Sequence, residues 1–245
     1  MSRRPTHPTG ELPGDPARLY FSYSHGHGLE QWDDEDTLEC WHVAIGYGLP
    51  YEDEESDQND DSDLPEEPAS GTKVGDLMLY RMRDLTGRDR WQVADAHSGD
   101  LEVIASAVFS PKRGTYAKAF DKAIEMPVGD LLILDRVWLD KAWRGFGLGP
   151  ICAAEAIRRL SGGCCAVAAY PGMSEYPGNR EEVTEEYRQQ AKEKIAALWE
   201  SIGFHPFRRG VWLLDTALRE PEDLLHARQE ELQALSAAYQ AHRGH

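Results

Sequence analysis

The chain has 245 residues, 41% of them hydrophobic and 28% charged, which suits one substantial globular domain with extensions. Its formal charge of −17 argues against nucleic-acid binding as the main role. Its apolar runs are too short to span a bilayer, and the basic start MSRRPTHPTGELPGDP lacks the apolar segment of a secretory signal, so cytoplasmic residence with no membrane partner is expected. Cys40, Cys152, Cys164 and Cys165 show no CxxC spacing, which predicts reduced, mostly buried thiols and no metal site.

In chain order, residues 1 to 17 are rich in Pro, Gly and Arg and read as a mobile, disordered tail. LYFSYS, 19 to 24, is a short strand, and SHGHG, 24 to 28, a plain loop despite its two histidines. Strands are expected at 39 to 48 and 74 to 83, forming an antiparallel pair. Between them, residues 51 to 68 hold ten Asp or Glu and no Lys or Arg. Such a block cannot bury enough apolar surface to offset its ordering entropy, and reads as a disordered acidic loop. A second reading has it attract a cationic acceptor or partner.

A helix over 95 to 109 starts at Ser98 as N-cap, with Leu101, Ile104, Ala105 and Val108 at helical spacing. Asp95, His97 and Asp100 are read as cap and turn residues. TYAKAFDKAIEM, 115 to 126, reads as a second helix. LLILDRVWL, 131 to 139, is a central strand whose alternation puts Ile133, Asp135, Val137 and Leu139 on one face. A glycine-rich turn, WRGFGLG, leads into a helix over 150 to 160, and CCAVAAY, 164 to 170, supplies another buried strand. A polar connection of about twenty residues follows, taken as an insertion over 171 to 190. The helix over 191 to 202 ends at Gly203 as its C′ residue, and 204 to 216 reads as a hairpin turning at Arg208–Gly210. The C-terminal stretch, 219 to 245, is helical by pattern and packs either on its own domain or on a second copy. Alternation of this kind predicts an α/β or α+β domain over 18 to 218.

The glycine turn carries the chemistry. Pro150 breaks the GxGxxG fingerprint, and no Gly-Lys-Ser or Gly-Lys-Thr opens the helix, so neither a dinucleotide motif nor a P-loop fits. What remains is a strand, then Arg144-x-x-Gly147-x-Gly149, then a helix. A helix N-terminus offers unpaired N–H groups and the positive end of the dipole, and glycines let a bulky pyrophosphate approach the backbone. Arg144 adds a cationic donor or braces the loop. Pro150 fits the first turn but removes one N–H. Glycines that merely ease a turn would give the same pattern.

From about Gly129 to Thr216 the chain resembles the GCN5-related N-acetyltransferase (GNAT) superfamily. Val137 and Leu139 match the apolar-x-apolar strand end, Arg144, Gly147 and Gly149 the (Q/R)-x-x-G-x-(G/A) loop, and Gly203–Phe204 the GF ending. The resemblance implies a mixed, partly splayed sheet flanked by helices, acetyl-CoA as cosubstrate, and acetyl transfer to an amine by direct attack on the thioester. It implies cofactor contacts from Val137, Leu139, Arg144, Gly145, Phe146, Gly147, Leu148, Gly149 and Trp199. The backbone N–H of Leu139 is implied as the oxyanion donor. Asp135 is the candidate base, with Glu125 and Asp130 as weaker alternatives. Trp199 stands where many members have a tyrosine acid, and its indole N–H is no practical proton donor. Water, another group such as Tyr170 or Tyr187, or no group at all then takes that task. Two other readings stand beside the enzyme: a CoA-binding module with weak turnover, and an interaction protein using the acidic loop.

Overall fold

The computed structural model describes residues 7–30, 34–48, 67–86, 88–111, 114–171 and 184–243. Seven strands form one open sheet: β1 (Leu19–Ser24), β2 (Leu38–Tyr47), β3 (Thr72–Met82), β4 (Asp130–Leu139), β5 (Cys164–Ala169), β6 (His205–Pro206) and β7 (Trp212–Asp215). Their order is β1-β2-β3-β4-β5-β7-β6. The described helices are α1 (Arg90–His97), α2 (Gly99–Val108), α3 (Lys118–Asp121), α4 (Leu148–Leu160), α5 (Glu185–Glu200) and α6 (Glu220–Arg243). The neighbours β1–β2, β2–β3, β3–β4, β5–β7 and β6–β7 run antiparallel; among the described residues β4 and β5 alone pair in parallel, joined by α4. This is the mixed, helix-flanked sheet that the resemblance implies.

The sheet buries two apolar clusters, one on each face. Leu132 and Leu134 of β4 join Leu77, Leu79, Ile151, Ala153, Ile157, Phe204, Leu235 and Tyr239, the side covered by α4 and α6. Leu131 and Ile133 join Leu101, Ile104, Val108, Phe109 and Phe120, the side covered by α1 to α3. Helix α4 is built for that position: Leu148, Ile151, Cys152 and Ala156 recur at three- and four-residue steps and are all buried. Arg158 and Arg159 fall in its last turn, where the dipole favours cations.

The segment expected as a mobile tail packs instead from His7 onward, through two 3-10 turns at Thr9–Glu11 and Pro16–Arg18. Leu12 lies in the core, 5% exposed. Asp15 is buried too: its N–H donates to the Tyr47 hydroxyl (3.1 Å), and the Gln240 side chain donates to its carboxylate (2.8 Å). Glycine and proline marked this run as irregular, and irregular backbone is buried readily when its polar groups find partners. Most of the acidic run, 51 to 66, lies outside the described residues, but Glu67 is tightly held. It accepts from the hydroxyls of Tyr47 (2.7 Å) and Tyr239 (2.9 Å) and pairs with Arg18 (2.8 Å) and Arg243 (3.3 Å). Helix α6 therefore packs on its own domain.

Other boundaries also move. Ser98 caps α2, its hydroxyl accepting from the Leu101 N–H (3.3 Å), yet a separate helix, α1, precedes it. The helix expected over 115 to 126 shrinks to α3, four residues long. Tyr116 forms a β-bridge with Phe109 and stacks between Phe109 and Phe120, so aromatic packing overrides helix propensity there. Cys152, Cys164 and Cys165 are buried thiols, and Cys40 is exposed. Among the described residues no helix is long and apolar enough to cross a membrane.

Candidate active site

The site is built where β4 and β5 part. Their parallel ladder ends at Leu134–Ala169, while β4 continues against β3 to Leu139. From Asp135 onward, the edge of β4 that faced β5 opens as a cleft. The Asp140 N–H donates to the Val74 carbonyl (2.7 Å), so the facing pair Gly75–Leu139 is not the hydrogen-bonded kind. The peptide groups of Leu139, and two residues earlier those of Val137, consequently point away from β3 into the cleft. Arg144 takes one of them: its Nε donates to the Leu139 carbonyl at 2.6 Å, and its guanidinium lies 5.6 Å from the Trp138 ring. Of the two roles open to Arg144, bracing the loop is the one observed.

The glycine loop follows directly. Gly145 (φ 86°) and Gly147 (φ 82°) hold the left-handed conformation that other residues resist. Gly147 is the N-cap of α4 and caps it with no side chain. A Cβ built on Gly147 or Gly149 would meet nothing within 4 Å. Phe146 and Leu148 turn their side chains into the core, 3% and 1% exposed, which anchors the loop and leaves its backbone outermost. Pro150 lies in the first turn and withholds its N–H. An uncapped helix N-terminus under open space, with left-handed glycines, fits an anionic group such as a pyrophosphate.

Asp135 departs from the expected alternation. Met78 faces Arg136 and Leu79 faces Leu134, so Asp135 is the extra residue of a β-bulge. The insertion reverses the parity of the strand. Val137 and Leu139 pack with Leu132 and Leu134 on the α4 side, whereas Ile133 lies on the α1–α2 side. The expectation that Ile133 shares a face with Val137 and Leu139 is therefore corrected. Asp135 interacts electrostatically with His97 and Asp100 at the α1–α2 junction. Burial raises its carboxyl above the ordinary range; Arg136 pulls it back, Asp100 pushes it up, and His97 lowers it. Tyr80, paired with Ile133 on β3, is pushed up to about 12 by burial first and the Asp135 charge next. Cys40, paired with Tyr80 on β2, is raised by the same two causes.

Tyr170 is the first residue past the last parallel rung, as Asp135 is on the other strand. It packs against the α1–α2-side cluster, and the Lys192 ammonium stands 5.9 Å from its ring. The remaining candidates fall elsewhere. Asp130 sits at the opposite end of β4, bound to Arg81 (2.7 Å) and to the Asp84 N–H (2.7 Å), which makes it a structural carboxylate. Glu125 is exposed beyond α3, and its N–H donates to Asp215 (2.7 Å). Trp199 packs its ring against the α4-side core, 6.1 Å from Phe204. Tyr187 is 46% exposed on α5.

Sequence reading missed the convergence of Tyr80, His97 and Asp100 around Asp135. No spacing rule signals it, because three separate elements meet there only in the folded sheet. Among the described residues no group of three or more His, Cys, Asp or Glu could hold a metal.

No protein-family model matches the chain, and no curated protein matches it in sequence. Among solved structures it is similar to AtaT complexed with acetyl-methionyl-tRNAfMet, at 11% identity and a TM-score of 0.37, covering 84% of this chain and 99% of that one. It is also similar to a point mutant of KacT, at 12% identity and a TM-score of 0.38, with 86% and 99% covered. A third is the KacTA–DNA complex, at 9% identity and a TM-score of 0.36, with 86% and 99% covered.

Proposed function

We propose that this protein is an N-acetyltransferase of the GNAT kind, moving an acetyl group from acetyl-CoA to an amine by direct attack on the thioester. The observation that carries the reading is the cleft between β4 and β5 with the uncapped, glycine-lined N-terminus of α4 beside it. Acetyl-CoA, when bound, supplies the activated acyl carbon. The N–H groups of Phe146, Gly147, Leu148 and Gly149 hold its pyrophosphate, with Gly145 supplying the left-handed turn that presents them. Val137 and Leu139 line the cleft with their peptide groups, and the Leu139 N–H donates to the thioester oxygen as it gains charge. Asp135 takes the proton from the acceptor ammonium, a task suited to a carboxyl whose affinity for protons is raised. Tyr170, on the opposite lip of the cleft, returns a proton to the departing thiolate. Trp199 supports the cleft wall through packing.

Two measurements test this reading. Roughly millimolar CoA should raise the melting temperature of the wild type, and Gly147→Glu should abolish that rise while keeping the fold. Thioester consumption should then depend on an added amine from a screened library. A CoA-dependent shift with no turnover on any amine would favour the binding-module reading; no shift at all would sink the proposal.

A further inference from the structure

The α1–α2 junction has no role in the scheme above, yet it lies over the β4 bulge. His97 closes α1, Ser98 caps α2, and Asp100 stands in the first turn of α2. The His97 ring packs edge-on against Tyr80, with centroids 4.9 Å apart at 71°. Tyr80 pairs with Ile133, and the bulge inserts Asp135 between the rungs of Tyr80's neighbours Leu79 and Met78. Tyr80 thus touches the junction with its ring and pairs through its backbone with the strand carrying the proposed base.

We propose that His97 and Asp100 are positioning residues for Asp135, setting opposite charges over the bulge and so governing when that carboxyl can accept the acceptor's proton. The functional part rests on the acetyltransfer reading of the cleft; the electrostatic part does not. The charged or titratable groups that interact electrostatically with Asp135 are Arg136 on its own strand, Tyr80 on β3, Cys40 on β2, and His97 and Asp100 from the junction. Tyr80, pushed up to about 12, stays neutral in the working pH range. The two junction residues act in opposite senses: the Asp100 carboxylate opposes ionisation of Asp135, and protonated His97 favours it. Both are exposed at the end of a helix, where bound substrate or a changed helix position can reach them.

The test is a carbon-13 NMR titration of the Asp135 carboxyl in the full-length protein without ligand, its signal assigned through Asp135→Asn. Asp100→Asn should move the midpoint to lower pH. His97→Gln should move it to higher pH. Asp95→Asn, which removes an exposed charge from α1 just before the junction, should leave it in place. A midpoint unmoved in both junction variants, or moved in the same direction by both, would overturn the inference. So would a shift in Asp95→Asn as large as that in Asp100→Asn. The acid limb of kcat/KM for an amine found in the screen should follow the same opposed shifts. Absence of turnover would remove the acetyltransfer reading alone, since the titration reads the carboxyl without catalysis.

Discussion

At the residue scale, Asp135 combines a stability cost with a proposed chemical use. Its carboxyl is held above its ordinary value by burial, so the folded state prefers it protonated. The stability linked to that preference is complete below the unfolded value of about 3.8 and is lost as pH rises through the raised folded value. Asp135→Asn should therefore melt higher than the wild type at neutral pH, with the gain shrinking as the medium is acidified below that window. The same variant should lose activity by roughly 10²- to 10⁴-fold, the usual range for a general base. Thermal melts across pH and steady-state rates check both halves. A variant that melts lower at neutral pH would show that Asp135 is a structural partner instead. The bulge leaves Asp135 without a partner in the β3–β4 register.

At the scale of elements, the end of α5 shows how a short motif serves architecture before chemistry. Phe204 N–H donates to the Trp199 carbonyl (3.1 Å) and Gly203 N–H to that of Glu200 (3.2 Å), the paired bonds of a Schellman ending. Gly203 sits at φ 97°, and Phe204 is fully buried in the α4-side core. Arg228 of α6 donates to the Ser201 carbonyl (2.9 Å), a further acceptor at the same helix end. Gly203→Ala should cost about 1–2 kcal/mol, since the left-handed conformation resists a Cβ while the surrounding space tolerates one. Denaturant titration measures it, and a loss well below that range would mean the loop relaxes. The glycine and phenylalanine were legible as a helix end followed by a core residue. Trp199 was legible only as an anomaly, and the fold gives it a packing partner.

For the whole molecule, the decisive tie is polar. Glu67 gathers Tyr47 from β2, Tyr239 and Arg243 from α6, and Arg18 from the N-terminal segment. Burial pushes its carboxyl up, but the two hydroxyls and two guanidinium groups outweigh it, and the net direction is down. Stability from such a group is present above the unfolded value near 4.5 and is lost as pH falls through the lowered folded value. Glu67→Gln should cost roughly 1.5–3 kcal/mol at neutral pH, the worth of hydrogen bonds to a charged group. Its stability should also vary less with pH below about 4.5 than that of the wild type. Melts at neutral and acid pH test this; equal sensitivity would mean that other carboxylates govern acid unfolding.

The strands, the helix after the glycine loop, the Ser98 cap and the Gly203 helix end were determined by sequence, because periodicity, caps and glycine conformations are local physics. WRGFGLG by its residues alone left two readings open, an anion cradle and a turn eased by glycines. Local patterns do not record distant partners. The packing of the N-terminal segment, with Leu12 and Asp15 buried, and the anchoring of Glu67 depend on contacts far apart in the chain, and the shortening of α3 on aromatic stacking. The bulge at Asp135 belongs with them, since an extra residue is visible only against a partner strand. So does the meeting of His97, Asp100, Tyr80 and Asp135, which the tertiary structure alone decided by laying the α1–α2 junction over the sheet.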